Sequence, residues 1–254
     1  MKSGLTCADL RRAFGSRLLV SVLLVAGQYV GNVFYSIGQS GVQALRVFED
    51  ARNFGYYTWI LPLLAAFPAA TNFCVDWTRH FAFEQMTRIG PRAYTMSKWL
   101  SSFLSGGIAC AAGLLLFFLT TLINGRLDGY QDCFRADGMW EMLADAHLAL
   151  YMAGTLYVAF LSGGFYATCA LAFSGYCPNQ YLTLCFPMLV ARLSYSVAAT
   201  GTYPLWSNLG MLESGATGLG FWPALGVATA IFGGLSVLCC FIFRMGVERR
   251  LAHG

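Results

Sequence analysis

Residues 76–98 read DWTRHFAFEQMTRIGPRAYTMSK, and how this stretch is read decides the fold. It sets Arg79, Arg88, Arg92 and Lys98 against Asp76 and Glu84, a positive excess lying between two apolar runs. Phe81, Phe83, Met86, Ile89 and Tyr94 interrupt the charges. A solvated loop has no use for such side chains, whereas a helix lying across a membrane surface and offered to a partner does. A helix through Thr78–Ile89 places Glu84 and Arg88 at i,i+4, a pair contributing about 0.2–0.5 kcal/mol. Gly90-Pro91 then ends it, because proline disfavours a helical conformation in the residue before it. Lys98 is expected to reach out to the lipid headgroups as the next apolar run begins.

Working outward, the apolar runs are 18–37, 56–75, 99–123, 148–173, 181–199 and 223–243. Each approaches the roughly 20 residues that a helix needs to cross about 30 Å of hydrocarbon. Lipid offers no partner to a free backbone group, so each must be a helix. A β-barrel would alternate apolar and polar residues in segments of about ten, and these runs are continuously apolar. The expected architecture is an all-α integral membrane protein of six transmembrane helices, one permease-like domain over residues 1–254. Arg11 and Arg12 before the first run invite comparison with a signal peptide. The run is too long for a signal core, lacks a small-residue cleavage site and is followed by further spans. Leu5, Ala8 and Arg12 at helical spacing suggest a short interfacial helix ahead of it.

Composition agrees. The chain is 57% hydrophobic and 11% charged, against the quarter or so of charged residues that dresses a soluble surface. A formal charge of +4 is too small to point to nucleic acid, and its placement says more. Lys2, Arg11, Arg12, Arg17, Arg79, Arg88, Arg92, Lys98, Arg244, Arg249 and Arg250 fall on one side of the six-span arrangement. Arg46, Arg52, Arg126 and Arg135 fall on the other, where most of the acids also lie. By the positive-inside rule both termini and the 76–98 segment are cytoplasmic, in a multi-pass protein of the cell membrane. The nine cysteines scatter through the runs without a CxxC, which indicates neither a disulfide framework nor a thiolate metal site.

Chemistry-bearing motifs are lacking. No GxxxxGK[ST] cradle for a nucleotide and no HExxH occurs. Ser162-Gly163-Gly164 has no mid-span histidine to serve as its base, so no catalytic residue, bound cofactor or metal is expected. Acids deep within spans, the mark of a proton-driven carrier, are not evident, since Asp76 sits at a span's edge. Arg192 is the charge lying well inside a run, and with Tyr195 it is a candidate pathway residue. Its long stem equally suits outward snorkelling. Pro187 is expected to kink the same helix. The outer segment 200–222, with Glu213 as its single charge and Trp206 and Trp222, is expected to dip into the outer leaflet as short protein-covered helices.

Phe73, Asp76, Glu84, Arg88, Gly90, Arg92, Tyr94 and Lys98, followed by Ser101–Gly107, together resemble the ABC-2 type transporter permeases. The basic N-terminal segment, the short turn at 174–180 and the Gly-rich stretch before the last run fit as well, so the likeness extends over the chain. The resemblance implies the membrane subunit of an ABC exporter, paired with a second permease subunit. A separate ATPase subunit would bind and use the ATP. It further implies that 76–98 is the coupling segment, with Phe81, Phe83, Glu84, Met86, Arg88, Ile89, Arg92 and Tyr94 meeting the ATPase. The readings from other classes are a membrane-embedded binding or immunity protein that transports nothing, and a secondary transporter.

Overall fold

The computed structural model describes residues 2–33, 44–53, 59–124, 147–198, 209–214 and 220–253. Among them the chain is helical throughout, with no strand. In chain order the helices are α1 (Lys2–Ala13), α2 (Ser16–Asn32), α3 (Ala44–Asn53), α4 (Leu61–Ala66), α5 (Asn72–Thr78) and α6 (Phe81–Ile89). Then follow α7 (Pro91–Asn124), α8 (Leu148–Ser174), α9 (Gln180–Ala198), α10 (Leu209–Ser214) and α11 (Phe221–His253).

Three of these are long and apolar enough to cross a membrane: 91–123, 148–174 and 221–252. The other expected crossings differ from the sequence reading in instructive ways. α2 has 17 residues, and α9 has 19 with Pro187 inside it, which does not end the helix. The run 56–75 is not one helix; it is α4 and α5 joined by a turn at 67–71. Pro68 lies in the interruption and has no N–H with which to continue the hydrogen bonding of α4. The turn is buried but keeps its backbone bonds, with Ala70 N–H donating to Ala66 C=O at 3.1 Å and Asn72 N–H to Ala69 C=O at 3.0 Å. A break so satisfied is tolerated at membrane depth.

The third crossing begins earlier than expected. α7 starts at Pro91, so Arg92–Lys98 are its first turns and not a strap leading up to it. Its 34 residues extend about 50 Å, more than hydrocarbon needs, and the surplus projects at the end that carries the basic residues.

α8 is the centre of the molecule. It packs on α7, α11, α4 and α9, and nearly all of Leu161–Ala172 is buried. Its interface with α7 is the most extensive in the structure, and small residues make it. A Cβ on Gly106 would lie 2.5 Å from the Ala167 Cβ and 2.6 Å from the Gly163 carbonyl oxygen. A Cβ on Gly163 would lie 2.5 Å from the Gly106 carbonyl oxygen. Within lipid, apolar burial gives helices no reason to associate, so such close backbone approach and the dispersion it permits hold them together. Ser162-Gly163-Gly164 is thus a packing motif. At the end that carries the basic residues, Asn179 Oδ1 accepts from Tyr181 N–H at 3.0 Å and starts α9, which gives the expected short turn its mechanism.

Two short helices close the end opposite the basic residues. α3 is amphipathic, with Val47, Phe48 and Ala51 buried, and Phe48 stacks on Phe117 of α7 at 5.9 Å. α10 packs against α8, α9 and α11, with Leu209 and Leu212 buried. The expectation of short covered helices in 200–222 holds for 209–214; 200–208, with Trp206, and 215–219 lie outside the described residues. Trp222 opens α11 and is exposed.

Gly106→Leu should separate α7 from α8 and lower stability by at least the roughly 1–3 kcal/mol of ordinary overpacking. Gly233→Ala on α11, where a Cβ meets nothing within 4 Å, should be neutral or stabilising. Thermal unfolding of the detergent-solubilised variants checks both.

Candidate functional site

The 76–98 stretch is built on a buried cluster of charge. α1, α5 and α7 each end or begin at the basic end of the bundle and send charged side chains to a common point, Asp9 and Arg12 from α1, Asp76 from α5 and Lys98 from α7. Lys98 Nζ donates to Asp9 Oδ1 and to Asp76 Oδ2, both at 2.7 Å. Arg12 donates to the other Asp76 oxygen at 2.7 Å, and the Ser97 hydroxyl to the other Asp9 oxygen at 2.7 Å. All four carboxylate oxygens are therefore occupied, and two acids balance two cations. The Tyr94 ring covers Lys98 Nζ at 5.3 Å, and Arg17 donates to Asn72 Oδ1 at 3.1 Å alongside.

Lys98 is only 3% exposed, so it does not snorkel to headgroups. Its two acid partners outweigh the pull of water. Asp9 and Arg12 had no place in the sequence reading of this site. The one legible hint was that Asp9 is the sole acid in the basic first seventeen residues. A helix forms there as α1, and this network and the buried Ala13 tie it to α5 and α7.

α6 is set off at both ends. His80 takes the left-handed conformation at φ 58°, and Gly90 lies at φ 84°, where a side chain would be strained. The helix begins at Phe81, not Thr78, and the break at Gly90 falls where proline chemistry places it. Glu84 and Arg88 are exposed and make no ion pair with each other.

The eight residues assigned to coupling divide by face. Met86 and Tyr94 are buried within the chain's own core. Phe83 is half-buried, its ring 4.8 Å from Trp77, and Ile89 packs against the core. Phe81, Glu84, Arg88 and Arg92 face outward, with Phe81 47% exposed. The surface free to meet a partner is therefore narrower than the sequence pattern indicated, and Phe83 and Met86 are supports for it.

Trp77 links α6 to the far helices. Its ring contacts Phe83 on one side, and the Arg250 guanidinium of α11 lies 5.3 Å from it. Arg250 also donates to the carbonyls of Gly175 (at 2.7 Å) and Tyr176 in the α8–α9 turn. Phe73 meets Phe243 of α11 edge-on at 5.0 Å. One aromatic ring thus joins α6 to α11 and, through Arg250, to the turn between α8 and α9.

The pathway candidates are far from this cluster in sequence. Arg192 lies exposed on α9, its guanidinium 4.5 Å from the centre of the Trp59 ring, so it is paired with an aromatic face. Tyr195 is on the same helix, but its side chain lies outside the described residues. Among the described residues no group of three or more His, Cys, Asp and Glu side chains is placed to hold a metal ion.

Lys98→Met should cost about 3–5 kcal/mol, because it leaves Asp9 and Asp76 buried without their shared counter-ion. Adding Asp9→Asn and Asp76→Asn to it should recover most of that loss, since the cost lies in uncompensated charge. Unfolding of the three proteins in one detergent measures the difference.

No protein family, no curated protein and no solved structure matches this chain.

Proposed function

We propose that this chain is the membrane-spanning permease subunit of an ATP-driven ABC exporter, and that it works with a separate ATPase subunit and a second permease subunit. The observation that carries the reading is α6. It is a short helix, broken off at both ends, that presents Phe81 and Arg88 outward from a charge-pinned base, beside the exposed Arg92 in the first turn of α7. Rigid support beneath an exposed apolar anchor is what a docking element needs, since such anchors dominate binding.

In this reading α2, the broken pair α4–α5, α7, α8, α9 and α11 make six crossings of the cell membrane, with the basic end cytoplasmic. ATP is bound and spent by the partner. The Trp77–Arg250 contact would carry the push on α6 into α11 and the α8–α9 turn.

A second reading, the secondary transporter, is favoured by one observation absent from the sequence pattern. The carboxylate of Glu213 is enclosed between α10 and α8. Export from vesicles that follows ATP and survives a protonophore supports the exporter; the reverse supports the carrier. No export under either condition would leave the non-transporting binding protein.

Phe81→Asp with Arg88→Glu should leave folding intact, because both side chains are exposed, and should abolish association with the ATPase together with the ATP hydrolysis that co-purifies. Phe83→Asp with Met86→Asp should instead lower stability, since both pack on the chain itself. Retention of the ATPase by the first pair contradicts the coupling role of α6.

A further inference from the structure

α8 and α11 are both long and apolar enough to cross a membrane, and a series of contacts sets their register. Toward the end opposite Lys98, the Tyr157 and Thr229 hydroxyls are hydrogen-bonded at 3.0 Å. Further along, the Phe165 and Phe232 rings lie 5.9 Å apart. At the basic end the backbones themselves close up. A Cβ on Gly175 would lie 3.1 Å from the Phe243 carbonyl oxygen, and one on Gly246 would lie 3.0 Å from the Gly175 carbonyl carbon. The contacts advance together along both helices, so the two run parallel.

Two cysteines fall between the Phe165–Phe232 contact and the Gly175–Phe243 contact. Cys169 is one turn beyond Phe165 on α8. Cys239 is two turns beyond Phe232 and one turn before Phe243 on α11. At i,i+4 and i,i+7, each keeps the face of the phenylalanine it follows. Phe232, Ser236, Cys239 and Phe243 form the buried stripe of α11. Both cysteines are buried free thiols, and they are hydrogen-bonding neighbours across the interface. A disulfide needs Cα atoms about 4.4–6.8 Å apart, and helices that reach backbone contact within two turns of the pair can meet that demand.

We propose that Cys169 and Cys239 are a modification site, a dithiol that hydroperoxides dissolved in the bilayer oxidise to a disulfide. The apolar burial of the pair on two membrane-length helices selects that oxidant, because a reagent confined to water does not reach it. In the first step one thiol loses its proton and its sulfur attacks the terminal peroxide oxygen. An S–O bond forms, the O–O bond breaks, and the alkoxide takes the proton and leaves as an alcohol. The second sulfur then attacks the resulting sulfenic acid. The S–S bond forms, and the displaced hydroxide leaves with the second thiol proton as water. Two electrons pass from the thiols to the peroxide.

The disulfide adds a covalent tie to a pair of helices already joined by Arg250, which reaches from α11 to the carbonyl of Gly175. Oxidation therefore fixes α8 against α11, and a thiol reductant releases them by exchange. The neighbouring cysteines are placed differently. Cys240 is off the buried stripe, Cys177 lies in the turn after α8, and Cys185 is exposed on α9. The site goes beyond the transport reading and does not depend on it.

The test uses the purified full chain in lipid nanodiscs, reduced, freed of reductant, exposed to cumene hydroperoxide and then blocked with N-ethylmaleimide. Cleavage after methionine, at Met188 and Met211, separates the segment holding Cys169 from the one holding Cys239. Mass spectrometry should find these segments joined after peroxide and apart once dithiothreitol is added. They should stay apart throughout in Cys169→Ala and in Cys239→Ala. A variant carrying Cys177→Ala, Cys185→Ala and Cys240→Ala keeps the pair and should still join. Hydrogen exchange at 232–243 should slow on oxidation of the wild type and not of Cys169→Ala. Segments that remain apart in the wild type, a join that survives in Cys169→Ala or is lost in the triple variant, or exchange that oxidation leaves unchanged would each overturn the proposal.

Discussion

Lys98 held between Asp9 and Asp76 is the interaction on which the rest of this molecule depends. Three helices, two of them short, are pinned together there. Burying an ion is expensive, and mutual attraction offsets the cost only if geometry is good and every lone pair is used. Here Arg12 and Ser97 supply the two bonds that Lys98 cannot. The arrangement has one solution, so it specifies where α1 and α5 sit against α7. Because α6 hangs between α5 and α7, the same ions fix its position.

A different device governs the middle of the bundle. Gly106 and Gly163 let α7 and α8 approach until backbone meets backbone, and dispersion replaces the hydrophobic drive that lipid removes. The glycines make the α7–α8 pair a rigid spine. The basic end is then coupled to it through Phe73, Trp77 and Arg250, groups that touch both α5 and α11. The contacts from α6 to the far helices are short and aromatic.

Much of this was legible in the sequence, and the parts that were not share a physical cause. Continuous apolar runs announce helices, and Gly90-Pro91 announces a stop, because both signals are local. The ion network is not local: Asp9 and Lys98 are 89 residues apart, and nothing in the neighbourhood of either names the other. Snorkelling was a fair expectation for a lysine at the start of a span, and two buried acids override it. Likewise Glu213 reads as a lone loop charge until α10 folds back onto α8. The interruption at Pro68 was visible as a residue but was outweighed by the hydropathy around it, since the run is apolar on both sides. The division of the coupling segment into a supporting face and a free face required knowing what α6 packs against.

The central claim is that the outward face of α6, fixed by the buried ions, meets an ATPase. A photoreactive phenylalanine analogue placed singly at Phe81 and at Met86, in cells carrying the intact membrane complex, tests it most directly. The account predicts that Phe81, which is exposed, crosslinks to a protein with a nucleotide-binding phosphate loop, while Met86, which is buried, crosslinks within the chain. Adducts from Phe81 to lipid alone would mean that α6 is an anchor on the membrane surface, and the account would be wrong.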